Sequence, residues 1–139
     1  MRKIILIIVA LSVMFGLVGC SSEADKKAKN FVGAWSDEDS ISKDNILWNR
    51  YFLIKKIDGQ KDLFEVKEIE YAIKDDGATK KGKINQYRDI AKIDENGILR
   101  FHGKVTYLVI NSEGNEFVES NKNKFTKING LPEELKNKK

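Results

Sequence analysis

The sequence predicts an all-β domain, a small antiparallel β-barrel or sandwich, over residues 31–130. Short apolar runs rich in strand-forming residues follow one another from Phe31 to Ile128, separated by turn residues. Five of the ten glycines, at 59, 77, 97, 114 and 130, are flanked by Asp, Asn or Glu, which marks turns. No apolar stripe at helical spacing persists over three turns. Six or more short strands, hairpin-linked and without an internal repeat, close into a barrel or fold into a sandwich.

The elements follow in order. Phe31-Val32-Gly33-Ala34-Trp35 opens the first strand, and the acidic stretch from Asp37 to Ser40 closes it. Trp48 to Ile57 is the second, ended by the hairpin dipeptide Asp58-Gly59, so its partner begins at Leu63. That third run places Phe64 and Val66 on one parity and Ile69, Tyr71 and Ile73 on the other. A β-bulge near Lys67 and Glu68 would reconcile the two sets. Ile84 to Ile93, with Tyr87, Ala91 and Ile93 on one face, meets the type I′ turn dipeptide Asn96-Gly97. Leu99, Phe101, Gly103, Val105, Tyr107 and Val109 then alternate with Arg100, His102, Lys104 and Thr106 as one half-buried strand. A last run from Glu116 to Ile128 is anchored by Phe117, Val118, Phe125 and Ile128. In the tail, residues 131–139, Leu131 to Leu135 fits a single helical turn.

Ahead of the domain, Arg2 and Lys3 precede an apolar stretch from Ile4 to Val18 broken only by Ser12 and Gly16. A basic segment followed by an apolar one is the pattern of a signal peptide, residues 1–19, and the stretch is shorter than the roughly 20 residues that span a bilayer. It ends in Leu17-Val18-Gly19-Cys20, which resembles the lipobox of bacterial lipoproteins. The resemblance implies a diacylglyceryl group on the Cys20 thiol and cleavage after Gly19. It also implies a protein anchored by lipid to the cell membrane or outer membrane, facing outside the cytoplasm. Cys20 is the only cysteine, so an exported domain has no thiol left for a disulfide. Residues 20–30 are polar and read as a lipidated flexible tether, with Lys26, Lys27 and Lys29 near the lipid.

Composition narrows the function classes. Without the leader, 23 basic residues face 21 acids, which argues against a nucleic-acid partner. With one histidine and no spare cysteine, neither a metal centre nor a cofactor is expected. Asp37, Glu38, Asp39 and Asp44 lack the glycine and distal glutamate of an EF-hand loop and read as a solvated acidic loop. Arg100 and Lys104 flank His102 and disfavour the imidazolium a catalytic base must form, so a non-enzyme is expected. There is no glycine-rich phosphate loop.

The Gly33-x-Trp35 pair at the start of an all-β domain looks like the opening of lipocalin-like barrels. In that family the indole closes one end of the barrel and the interior often holds an apolar ligand. The family's arginine, which packs on the tryptophan from the last strand, has no equivalent between Glu116 and Ile128, leaving Lys124 or Lys127 in its place. Trp35, Trp48, Phe52, Phe64, Phe101 and Tyr107 are the candidate lining, of a ligand cavity or of a filled core. The expected function is non-enzymatic binding of an apolar ligand or a protein partner by a membrane-anchored lipoprotein. The alternative is an envelope interaction or protective inhibitor protein working through its outer surface, where the acidic loop from Asp37 to Asp39 opposes the basic face of Arg100, His102 and Lys104.

Overall fold

The computed structural model describes residues 22–37, 41–43, 46–75 and 80–136. Their order is α1 (Glu23–Phe31), β1 (Gly33–Asp37), β2 (Ile41–Lys43), β3 (Ile46–Lys56), β4 (Leu63–Asp75), β5 (Lys80–Ile93), β6 (Ile98–Phe101), β7 (Tyr107–Ile110), β8 (Glu116–Glu119), β9 (Lys124–Ile128) and α2 (Glu133–Lys136). Each strand from β3 to β9 pairs antiparallel with the next. β1 pairs with β3 along one edge (Trp35 opposite Phe52) and with β9 along the other (Ala34 opposite Ile128). That double pairing closes an eight-stranded up-and-down barrel, and β2 adds to the far end of β3. Of barrel and sandwich, the barrel forms, and closure leaves no bare edge where the strands meet.

Turn chemistry sets the hairpins. The amide of Ile57 donates to the Leu63 carbonyl across the Asp58-Gly59 turn, where Gly59 takes φ 76°. Gly97 takes φ 75° in the β5–β6 turn, and Asp94 ties that turn together. Its carboxylate accepts from the amides of Asn96 (3.0 Å) and Ile98 (2.9 Å) and from Arg100 Nε (2.9 Å). Burial alone would raise the Asp94 pKa, but the hydrogen bonds from Ile98, Arg100 and Asn96 outweigh it and hold the group below the ordinary Asp range. A depressed folded-state pKa adds stability that is complete above the unfolded value of 3.8 and is lost as pH falls below it. Asp94→Ala should therefore cost about 1 kcal/mol at pH 7, discounted for partial exposure, and less at pH 3. Urea titrations at the two pH values check this, and an equal cost at both would contradict it.

Four sequence expectations need correction. Residues 99–109 are a hairpin, not one strand. Residues 102–106 form a turn with Gly103 at φ 73°, and the inward set changes from Leu99 and Phe101 to Leu108 and Ile110. Val105 is 94% exposed in that turn, and Tyr107 and Val109 lie on the outer side. Likewise the run from Glu116 to Ile128 is the β8–β9 hairpin, with Lys122 in the turn at φ 75°. β4 has no bulge, since its register with β3 and β5 is unbroken through Lys67 and Glu68. Both of its faces are covered: Phe64 and Val66 enter the core, while Ile69 packs outside with Tyr51 and Leu135. The chain after β9 thus returns over the outer wall, with Leu131 and Tyr71 extending this second cluster.

The segment read as a tether is helical from Glu23. Ser22 and Asp25 form a capping box, each side chain accepting from the other's amide at 3.2 Å. Ala28 and Phe31, three residues apart on one face, are buried in the barrel core. Helix α1 closes the barrel end that also carries the β5–β6 and β7–β8 turns: Lys27 reaches the Asn96 carbonyl, and the Asn30 side chain fills the space beside Gly114.

Candidate functional site at the barrel mouth

At the closed end the Gly33-x-Trp35 pair has a structural task. Trp35 is fully buried, its Nε1–H donates to the Phe31 carbonyl at 2.9 Å, and its ring lies 4.8 Å from that of Phe117. Lys127, its register partner on β9, places Nζ 5.1 Å from the indole centroid and donates to the Asn30 carbonyl at 2.9 Å. Gly33, at φ 136°, makes room, because a Cβ there would stand 3.1 Å from Lys127 Cε. Of Lys124 and Lys127, it is Lys127 that packs on Trp35. Lys124 instead lies 3.8 Å from Glu116 as an exposed ion pair.

Above this end the interior is filled by side chains. Trp35, Phe52 and Phe64 are fully buried and Phe101 is buried, all in one cluster with Phe31, Phe117 and Phe125. Eight strands leave an interior just wide enough for side chains to fill. The other two candidate lining residues lie elsewhere. Tyr107 is on the outer wall beneath the Arg100 guanidinium, 5.4 Å from its ring centroid. Trp48 faces inward on β3 but beyond the core, at 39% exposure.

Strand length explains where Trp48 sits. β3, β4 and β5 run 11, 13 and 14 residues, whereas β6 to β9 run four or five. β6 pairs only with Ala91 to Ile93, so the rest of β5 stands beyond it with β4, β3 and β2 as a lip on one side of the mouth. Register puts Trp48 opposite Ala72, Arg50 opposite Glu70, Glu68 opposite Tyr87 and Glu70 opposite Asn85, all on the inner face. Tyr87 is 48% exposed.

The floor of this mouth is a charged cluster resting on aromatic rings. The Arg50 guanidinium forks onto Glu119, with Nη1 to Oε2 at 2.9 Å and Nη2 to Oε1 at 3.1 Å, while Nε donates to Glu68 Oε1 at 3.1 Å. Its carbon lies 5.4 Å from the Phe125 centroid and 5.6 Å from that of Phe52. Only 6% of Glu119 is exposed. Burial works against the Arg50 charge, but hydrogen bonds to Glu119 and Glu68 more than offset it and raise its pKa above the ordinary value. The Arg50 amide donates to Asp37 Oδ1 at 3.1 Å, and Asn85 Nδ2 donates to Glu70 at 3.4 Å. Among the described residues, Asp37, Glu68, Glu70 and Glu119 thus surround Arg50, with Lys83 farther out on the same face by register. Around Arg50 the floor thus holds more carboxylates than cations, and above it Trp48 and Tyr87 are open to solvent.

Sequence reasoning passed over Arg50, Glu68 and Glu119. The available signal is parity: Arg50 falls between the inward Trp48 and Phe52, and Glu119 follows the inward Phe117 by two. The residues considered for chemistry are placed differently. His102 is an exposed turn residue, and its neighbours are engaged: Arg100 with Asp94 at 2.9 Å and Lys104 with Asp89 at 3.0 Å. These ion pairs offset the basic face. Among the described residues no group of His, Cys, Asp and Glu is arranged to hold a metal ion. Of the acidic loop, Glu38, Asp39 and Asp44 lie outside the described residues, as does Cys20. Comparison of the chain with protein-family models, curated proteins and solved structures gives no match.

Proposed function

We propose that this chain is a membrane-anchored extracytoplasmic lipoprotein whose lipocalin-like barrel is a non-enzymatic binding module that engages its partner at the mouth. The observation that carries this reading is the difference between the barrel's ends. One end is closed by α1, Trp35 and Lys127, and the other offers Trp48 and Tyr87 above an acidic floor. Lipid anchoring rests on the leader and Cys20. The lipocalin-like character rests on barrel closure together with the stacking of Trp35 and Lys127 beside Gly33.

The filled interior favours a partner held on the lip over an apolar molecule enclosed by the barrel. Exposed indole and phenol rings beside carboxylates suit a basic group carried on an apolar stem, as in a protein segment where Lys or Arg neighbours aliphatic side chains. The alternative, an envelope interaction or protective inhibitor protein using its outer surface, draws support from a groove of about 320 Å³ lined by Leu63, Ile90, Phe101 and His102. A photo-crosslinking residue placed singly at 48, 87, 63 or 90 in living cells separates the two. Adducts at 48 and 87 are expected. Adducts confined to 63 and 90 would favour the outer surface.

A further inference from the structure

We infer that the closed end of the barrel faces the bilayer, held there by a tether too short to let the domain turn, so that the mouth points away from the membrane. This rests on the lipoprotein reading. The occupant of the surface is the bilayer that carries the acyl chains of Cys20, and the length of chain between them argues for it. Ser22, the N-cap of α1, is two residues after Cys20, a reach of at most about 7 Å.

The helix itself has no slack. Phe31 is fully buried in the core, its carbonyl accepts from Trp35 Nε1, and the Asn30 carbonyl accepts from Lys127 Nζ. Lys27 lies over Gly97, and Asn30 fits against Gly114. An acyl chain on Cys20 therefore pulls on a rigid plug rather than on a linker. Ala28 and Phe31 turn toward the core, which leaves Glu23, Lys26 and Lys29 exposed on the far side of the helix. With the Ser112–Glu113 turn they form the surface nearest the lipid. The β6–β7 turn, the β8–β9 turn and the lip of β3 to β5 stand at the opposite end.

The test uses the full lipidated protein in phosphatidylcholine vesicles containing phosphatidylglycerol and a nickel-chelating lipid. Acylation removes the native thiol, so a single nitroxide can be placed on Lys26→Cys, Ser112→Cys, Val105→Cys or Ser120→Cys. The expected result is relaxation by the headgroup nickel several-fold stronger at 26 and 112 than at 105 and 120. Inserting about fifteen Gly and Ser residues between Cys20 and Ser22 should erase the difference. Equal relaxation at the four sites without the insert would overturn the inference, as would a difference that survives the insert. A mass measurement on the same samples keeps the two readings apart. An unacylated Cys20 fails the lipoprotein reading, whereas acylated protein with equal relaxation fails the orientation alone.

Discussion

Phe117→Ala should cost about 3 to 5 kcal/mol, a large fraction of the stability of a domain this size. Phe117 is the hub of the interior. Its ring centroid lies 4.8 Å from that of Trp35, 5.0 Å from Phe125, 5.7 Å from Phe52 and 6.3 Å from Phe31. Those four come from β1, β9, β3 and α1, so truncation opens a void between the closing strands and the helical plug. A rigid barrel wall cannot collapse into that void, which puts the cost at the upper end of the range. Val105→Ala is the control, since at 94% exposure it should change stability by less than about 0.5 kcal/mol. Equilibrium urea unfolding of the chain from Ser21 onward measures both. A small effect at Phe117 beside a large one at Val105 would contradict both the inward placement of Phe117 on β8 and the exposure of the β6–β7 turn.

Arg50→Met should cost a similar amount, about 3 to 5 kcal/mol, for a different reason. The substitution keeps most of the apolar stem but removes the cation that lies between Glu68 and Glu119 and over the Phe52 and Phe125 rings. Glu119, almost fully buried, then loses both guanidinium hydrogen bonds and faces a second carboxylate. The penalty lies mostly in the carboxylates left behind, so it should be non-additive. Arg50→Met combined with Glu68→Gln and Glu119→Gln should be clearly more stable than Arg50→Met alone. Simple additivity of the three changes would contradict the cluster.

The distribution of these residues explains how far the fold can be read in the sequence. Hairpins with Asp58-Gly59 and Asn96-Gly97 are legible because a positive φ demands glycine there and the flanking strands alternate cleanly. The Gly33-x-Trp35 pair points to a barrel because its parts lie two residues apart. The break at Gly103 is hidden, since the apolar alternation of Leu99 to Val109 fits one strand as well as two. Only the pairing of Leu99 with Leu108 reveals the fold-back. β4 misleads for a related reason, because Ile69 and Tyr71 are covered by α2, an element more than 60 residues away in sequence. Helix α1 escapes notice because two buried residues suffice when a barrel end receives them. At the mouth, Arg50, Glu68 and Glu119 meet only after the barrel closes, and in sequence they are three ordinary charged residues among many.

Lipid anchoring of the barrel is read out at the mature N-terminus. Intact mass and fatty-acid labelling of the protein extracted from membranes should show a chain beginning at an acylated Cys20, with Cys20→Ser leaving an unlabelled precursor that retains residues 1–19. A mature chain that starts elsewhere, or Cys20→Ser protein labelled to the wild-type level, would contradict it.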